Sequence, residues 1–169
     1  MMKTLLALLL FVVCSLDGTA SAQDVGNWSI DTKSTEYLYA ATVNDSGGLL
    51  GEFCFLKDNS CAWLLGMATA CNQGASYPVL ANSDAGAIQL QVYCDGQLEN
   101  GLFRYVFTEF AAIDDLVKKS SKIGFAVPLQ SDQFRVVRFL TKGAVPALTI
   151  MRGAAERKSG SDATSDQEL

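Results

Sequence analysis

The sequence predicts an all-β protein: an antiparallel β-sandwich of about eight strands with one short helix, preceded by a cleaved signal peptide. Apolar and polar residues alternate along most of the chain after Tyr37, which is typical of strands with one buried face. Turn-forming residues separate nearly all of these segments. The 147 residues that follow the leader have the usual size of one domain with one core.

Residues 1–22 have the features of a secretory signal peptide. Lys3 supplies the positive charge, residues 5–13 form an apolar run too short to span a bilayer, and residues 20–22 are the small residues that signal peptidase requires. We therefore expect the mature protein to begin at Gln23 and to be periplasmic or secreted. The predicted domain spans residues 23–151, and residues 152–169 are predicted to form a disordered polar tail.

The strand prediction rests on period-two alternation. Its clearest example places Ile88, Leu90 and Val92 on one face, with Gln89 and Gln91 on the other. The predicted strands are residues 37–43, 49–56, 62–69, 77–81, 87–94, 102–108, 122–129 and 133–141. Turn residues at 44–48, 57–60, 82–86 and 130–132 favour tight reversals, so we expect antiparallel hairpins.

One helix is predicted after residue 108. Phe110, Ile113 and Val117 recur at helical spacing and form an apolar stripe. The opposite side carries two acid-first i,i+4 pairs, Asp114 with Lys118 and Asp115 with Lys119. Because about ten residues do not form a stable helix alone, this helix is expected to dock on the sheet.

Composition excludes several classes of function. Loss of residues 1–22 removes Lys3 and Asp17, so the net charge stays at −5, and no basic block marks the chain as a nucleic-acid binder. No apolar segment after the leader is long enough for a transmembrane helix. The sequence contains no histidine, which argues against imidazole-dependent hydrolases and most catalytic zinc sites. We therefore assign no catalytic, cofactor-binding or metal-binding residue, and we expect no cofactor.

Four cysteines of the mature chain are expected to form disulfides, since an exported protein meets an oxidising environment. They are Cys54, Cys61, Cys71 and Cys94, and they allow three pairings. Cys54 and Cys61 flank a predicted reversal, so a bridge across that hairpin is favoured, which leaves Cys71 to pair with Cys94. A structural zinc site is the weaker alternative, because the spacings contain no C-x-x-C pair.

The order of these parts resembles a known family of exported bacterial proteins. The shared features are Trp28, the close cysteine pair, the segment 77–80 (YPVL), Cys94, the helix end at 116–119, and the segments 123–129 and 139–148. This arrangement is similar to the invasion-associated locus B family. The resemblance implies a β-rich periplasmic or surface-associated domain of a Gram-negative bacterium, linked to host-cell association and without a catalytic site. The family's usual second close cysteine pair is missing, because Gln97 and Leu98 stand near Cys94 instead.

Two local patterns suggest catalysis and have simpler interpretations. The triplet Asp45-Ser46-Gly47 resembles an aspartic-protease loop, but it lies in a predicted hairpin turn that favours the same residues. The acids available for glycoside hydrolysis are Asp84, Asp95, Glu99 and Glu109. Their spacing selects no pair, and surface acids are ordinary on an acidic protein.

The sequence therefore favours a non-enzymatic envelope accessory or protein-interaction module, acting on a protein partner in the cell envelope or on a host cell. An exposed edge strand is one route by which such a domain binds proteins. The alternative is a carboxylate-dependent hydrolase or a carbohydrate-binding domain for cell-wall or surface glycans. In that context Trp28 is the candidate surface aromatic, whereas Trp63 is expected in the core.

Overall fold

In the computed structural model of this chain, residues 23–128 and 133–165 are described, with residues 161–165 described as backbone only. The predicted signal peptide, the predicted turn at 130–132 and residues 166–169 lie outside this part. The strands are β1 (Gln23–Val25), β2 (Trp28–Asp31), β3 (Tyr37–Val43), β4 (Leu49–Phe55), β5 (Ser60–Met67), β6 (Ser76–Ser83), β7 (Gly86–Gln97), β8 (Phe103–Phe107), β9 (Lys122–Pro128) and β10 (Phe134–Leu140). The helices are α1 (Phe110–Lys119) and α2 (Ala144–Ser165).

All ten strands belong to one antiparallel sheet, which confirms the predicted fold class. The strand order is β1-β2-β3-β4-β5-β8-β7-β6-β9-β10, so consecutive hairpins form both halves of the sheet. The sheet coils strongly, because β10 contacts β3 although six strands separate them in the order. Within the described residues, no helix is both long and apolar enough to cross a bilayer.

Residue alternation gives this sheet an inner and an outer side. The inner side carries the large core side chains of the central strands, among them Leu38, Leu50, Trp63 and Phe125, all fully buried. The two helices contribute to the same core cluster, α1 through Ile113 and its neighbours. The inner side of the sheet therefore packs against both helices, and the outer side faces away from them.

The two ends of the coiled sheet meet at a pair of glycines. Gly26 lies in the β1–β2 turn and Gly143 lies between β10 and α2, both at positive φ. The Asn27 N–H donates to the Lys142 carbonyl at 3.0 Å. A Cβ on Gly143 would lie 2.0 Å from the Val25 carbonyl oxygen, so any larger residue there would push the two turns apart. These contacts close one end of the seam between the sheet edges.

Helix α2 corrects two predictions, the single helix and the disordered tail from residue 152. Its buried residues are Ala144, Ala147, Leu148, Met151 and Ala154. Their spacing of three and four residues is that of one helix face, and this face packs mainly on β2 and β3. The prediction failed because small alanines carry much of the buried stripe, while the flanking glycines and serines have the composition of a disordered tail.

The N-terminal strands correct a third prediction, that Trp28 lies on the surface. The short hairpin of β1 and β2 was not predicted, and it turns Trp28 fully into the core. Trp28 packs edge-on against Trp63, with ring centres 6.1 Å apart. Trp63 is buried as predicted. Neither tryptophan is therefore available to stack on a sugar.

Candidate functional site

The outer side of β3 and β4 carries four aromatic rings in adjacent positions. Alternation turns Tyr37 and Tyr39 outward from β3, and turns Phe53 and Phe55 outward from β4. The register places Tyr37 opposite Phe55 and Tyr39 opposite Phe53. We call these four rings, with the apolar residues between them, the aromatic face.

The rings of the aromatic face pack on one another and stay partly exposed. Tyr39 and Phe53 are stacked with ring centres 5.4 Å apart, and Tyr37 lies 5.9 Å from Phe53. Tyr37 is 38% exposed. Burial and the charge of Asp31 raise the pKa of Tyr39, so its hydroxyl stays protonated. The result is a cluster of rings held in place by their own contacts, with edges open to solvent.

Small residues make the face concave. Gly51, Ala41 and Gly66 lie between the larger side chains, and a Cβ on Gly51 would lie 2.5 Å from the Cβ of Ala41. A depression of about 590 Å³ results, bounded by the rings, Val43, Leu49 and Leu64. No larger residue fits at position 51 without separating β3 from β4. The depression is therefore built into the strand pairing.

A few polar residues also line the depression. The β7–β8 loop supplies Glu99 and Asn100, β8 supplies Arg104 opposite Gly66, and β2 supplies Ser29 opposite Ala41. Arg104 forms an ion pair with Asp95 at 2.7 Å, which holds its side chain against the sheet. Aromatic and aliphatic side chains together with a few polar groups, arginine among them, are the usual composition of a protein-binding patch.

The inner side of β4 carries a charge instead. Glu52 is fully buried, and Arg152 of α2 donates to it from Nε, 3.0 Å from both carboxylate oxygens, and from Nη2. The same Nη2 donates to Asp114 of α1. The Arg152 guanidinium also lies 5.7 Å from the centre of the Phe110 ring. We call Glu52, Arg152 and Asp114 the buried ionic cluster.

Burial and pairing act in opposite directions within this cluster. Burial raises the pKa of Glu52, and the hydrogen bond and charge of Arg152 only partly offset that effect. Burial also acts upward on the pKa of Asp114, but hydrogen bonds from Arg152 and Lys118 outweigh it and lower the pKa. The cluster joins the sheet, α1 and α2, which is a structural role.

The cluster lies beside a disulfide, and the two together resemble a metal site only superficially. Glu52, Cys54 and Cys61 bring an oxygen and two sulfurs within 4.8 Å of one another. The sulfurs are bonded to each other as a disulfide, so neither is a thiolate that could bind a metal. The carboxylate is already held by Arg152.

Both disulfides of the favoured pairing are present. Cys54 and Cys61 are directly opposite in the β4–β5 pair and join the two strands at their hairpin end. Cys71 precedes β6 and bonds to Cys94 in β7, which fixes the loop between β5 and β6 to the sheet. Each bridge closes a loop and so restricts the unfolded chain.

The acids considered for glycoside hydrolysis are held by different partners in different parts of the fold. Asp84 accepts hydrogen bonds from Ser121, which lowers its pKa. Glu109 accepts a hydrogen bond from the Gln91 N–H, which lowers its pKa. Asp95 pairs with Arg104, and Glu99 lies on the rim of the aromatic face. Their positions indicate local structural roles.

The Asp45-Ser46-Gly47 triplet lies in the β3–β4 turn, as the turn interpretation predicts. The Asn44 side-chain oxygen accepts from the N–H groups of Ser46 and Gly48, and Gly47 has a φ of 76°. These are the features of an asparagine-initiated turn that needs glycine at positive φ. Sequence reasoning did not select the aromatic face, although its signal is present as aromatic residues at period two in β3 and β4.

Comparison with known proteins shows a fold relationship only. No protein-family model matches the sequence, and no curated protein is similar to it in sequence. Among solved structures, the chain is similar to invasion associated protein B from Bartonella henselae, with a TM-score of 0.56 and 13% identity. The match covers 80% of this chain and 99% of that one. The structural likeness agrees with the resemblance found in the sequence.

Proposed function

We propose that this protein is an exported, non-enzymatic interaction module that binds a protein partner through the aromatic face. The observation that carries this proposal is the outward placement of Phe53 and Phe55 on β4, beside Tyr37 and Tyr39 of β3, where the rings stay partly exposed. Aromatic side chains supply much of the binding energy of protein interfaces. Contiguous exposed apolar patches on a domain mark sites of interaction.

The chemistry of the face favours a protein over a glycan. It is lined mainly by aromatic rings and by aliphatic side chains such as Leu49 and Leu64, with few polar side chains among them. A sugar presents hydroxyl groups in every direction and needs polar side chains beside each stacking ring, whereas an apolar side chain from a protein fits an aliphatic centre. We therefore expect a partner that inserts an apolar side chain between Tyr37 and Leu64.

Export is supported by the disulfides, which persist in oxidising compartments. The structural neighbour is named for an association with invasion. At 13% identity that likeness concerns the fold, so we propose an extracytoplasmic partner, in the envelope or on a host cell, on the chemistry of the face.

A pulldown with matched variants tests the proposal. The mature chain, residues 23–169, is immobilised as parent, Tyr37→Ser and Tyr93→Ser, and incubated with envelope extract and with host-cell surface extract. Tyr37 and Tyr93 are equally exposed at 38%, but Tyr93 lies on β7, away from the aromatic face. A protein that binds the parent and Tyr93→Ser, rebinds after purification, and is lost with Tyr37→Ser supports the proposal.

Three results would contradict it. Enrichment of glycans without a protein would favour the carbohydrate-binding alternative. A purified partner that binds all three proteins equally would show that the aromatic face is not the interface. Turnover of wall fragments by the parent would instead support the hydrolase alternative.

A further inference from the structure

Strand β10 ends the sheet with an open edge. Among the described residues it pairs only with β9, over all seven of its positions and without a bulge. The Thr141 N–H donates to the Ser121 carbonyl at 3.0 Å. Because hydrogen-bonded positions alternate along an antiparallel strand, residues 135, 137 and 139 are the ones that bond to β9. The backbone N–H and C=O groups of residues 134, 136, 138 and 140 consequently point away from β9. By contrast β1, at the other end of the sheet, has three residues within the described part of the chain.

All four of these residues have exposed side chains, and three of them, Phe134, Val136 and Leu140, are apolar, whereas the fourth is Arg138. Phe134 is 69% exposed, Val136 is 47% exposed, and Leu140 is also exposed. Natural sheets protect long edges with prolines, bulges or charged side chains, because an open edge accepts another strand. Strand β10 has neither a proline nor a bulge, and its charged residues, Arg135 and Arg138, oppose pairing with a basic strand but not with an acidic one. An edge with these properties is suited to pairing.

There is room beside this edge. A cleft of about 390 Å³ lies between the last residues of β10 and the β3–β4 turn, where the coiled sheet does not close. It is lined by Asn27 and Asp45 on one side, and by Lys122 and Arg138 on the other. The cleft leaves the edge of β10 accessible beside the β3–β4 turn.

The edge is basic on an acidic protein. Arg135 and Arg138 lie on β10, with Lys122 beside them on β9 and Lys142 just after the strand, whereas the whole chain has a net charge of −5. Among the described residues, the acids that line this surface are Asp45, across the cleft, and Asp84, which is held by Ser121. In this part of the chain the positive charges outnumber the negative charges along the edge, which favours an acidic ligand.

We infer that β10 binds an extended acidic segment of a partner protein by strand addition. Backbone hydrogen bonds to residues 134, 136, 138 and 140 supply the affinity, and side chains supply the specificity. A carboxylate fits opposite Arg138, and apolar residues fit opposite Val136 and Leu140. The cleft beside β10 shares Val43 with the aromatic face but none of its four rings, so the inference stands or fails independently of the proposed function.

A designed peptide tests the inference directly. The probe is acetyl-Val-Thr-Glu-Thr-Val-Asp-Val-amide, which in antiparallel register places glutamate opposite Arg138 and aspartate opposite Arg135. Binding to the mature chain is followed by amide hydrogen exchange in NMR. We expect new protection at the edge-facing amides of residues 134, 136, 138 and 140, whereas the amides of 135, 137 and 139 are protected already. We also expect N-methylation of two edge-facing peptide amides to weaken binding about tenfold or more.

The charge requirement is tested with a matched pair of variants. Arg138→Glu is expected to weaken peptide binding roughly fivefold to tenfold, because it replaces an attractive cross-strand pair by a repulsive one. Arg157→Glu makes the same charge change on an exposed position of α2 and is expected to leave affinity unchanged. A peptide with lysines in place of both acids is expected not to bind.

Three results would overturn the inference. The first is no binding of the acidic peptide at millimolar concentration, and the second is protection elsewhere than at the edge-facing amides of β10. The third is protection of those amides that rises with protein concentration in the absence of peptide, which would make a second copy of this chain the occupant. Tyr37→Ser is expected to bind the peptide as the parent does, so failure here leaves the proposed function unaffected.

Discussion

Both faces of strand β4 depart from the usual arrangement of a sheet. Its inner face holds Glu52, fully buried between Leu50 and Cys54, and its outer face holds Phe53 and Phe55, which are partly exposed. The inner charge has a partner supplied from elsewhere in the chain, Arg152. The outer rings contact the rings of Tyr37 and Tyr39 instead. We infer that the buried charge of Glu52 is compensated within the molecule, whereas the exposed rings are covered by another molecule.

Removal of Arg152 gives the largest expected effect. Arg152→Met leaves Glu52 buried without its cation, and breaking a buried pair in this way costs about 3–5 kcal/mol of the free energy of unfolding. Denaturant unfolding at pH 7 measures the loss. Arg157→Met, on the exposed side of the same helix, is the control and should change stability by less than about 0.5 kcal/mol. Equal effects of the two variants would show that the ionic cluster does not hold α2 to the sheet.

Removal of either disulfide gives the next largest expected effect on stability. Cys54 and Cys61 are separated by 7 residues, and Cys71 and Cys94 by 23. The loop-entropy relation gives about 2.5 kcal/mol for the first bridge and about 3.5 kcal/mol for the second. We expect replacement of Cys71 and Cys94 by serine to lower the free energy of unfolding more than replacement of Cys54 and Cys61 by serine. Denaturant unfolding measures both losses. A larger loss for the Cys54–Cys61 pair would mean that this bridge also supports Glu52 and Arg152.

The pH dependence of Arg152→Met sharpens the interpretation. Loss of the guanidinium raises the pKa of Glu52 further, and a carboxyl with a higher pKa in the folded than in the unfolded chain takes up a proton on folding. The free-energy cost of burying the unpaired Glu52 carboxylate therefore decreases as the pH falls through the pKa of Glu52 in the folded chain. It disappears below the pKa of the unfolded chain, about 4.3. We expect the stability difference from the parent to shrink between pH 7 and pH 5, by up to about 1.4 kcal/mol per pH unit. A difference that is constant with pH would indicate lost packing instead of an unpaired charge.

The smallest expected effect on stability is at the aromatic face. Tyr37→Ser removes a ring that is 38% exposed and contacts other exposed rings, so the free energy of unfolding should change by less than about 1 kcal/mol. Thermal unfolding of this variant beside Tyr93→Ser provides the comparison. A loss above about 2 kcal/mol for Tyr37→Ser alone would make the face a stability element and remove the reason to assign it to binding.

Period-two alternation predicted β3 to β10 well, and β3 has the predicted bounds. The i,i+4 pairs of α1 are also present, each at 2.7 Å. These features are local, so neighbouring residues determine them. The short hairpin of β1 and β2 was missed because three or four residues carry too little alternation to be recognised.

The features that sequence reasoning missed depend on distant contacts. Glu52 and Arg152 are 100 residues apart, and neither residue type nor spacing indicates that they meet. Helix α2 is stabilised by the sheet beneath it, so its alanine-rich face has meaning only after the sheet is formed. Strands β3 and β4 are apolar on both sides in sequence, and the placement of the helices decides which side is left open.

Site-specific photo-crosslinking tests the central claim most directly. A photoreactive phenylalanine derivative is placed at position 37 or, as the control, at the equally exposed position 93, and each protein is irradiated in intact cells. We predict a discrete crosslinked protein product from position 37 and none from position 93. Equal products from the two positions, or none from position 37, would contradict the assignment of the aromatic face as the interface.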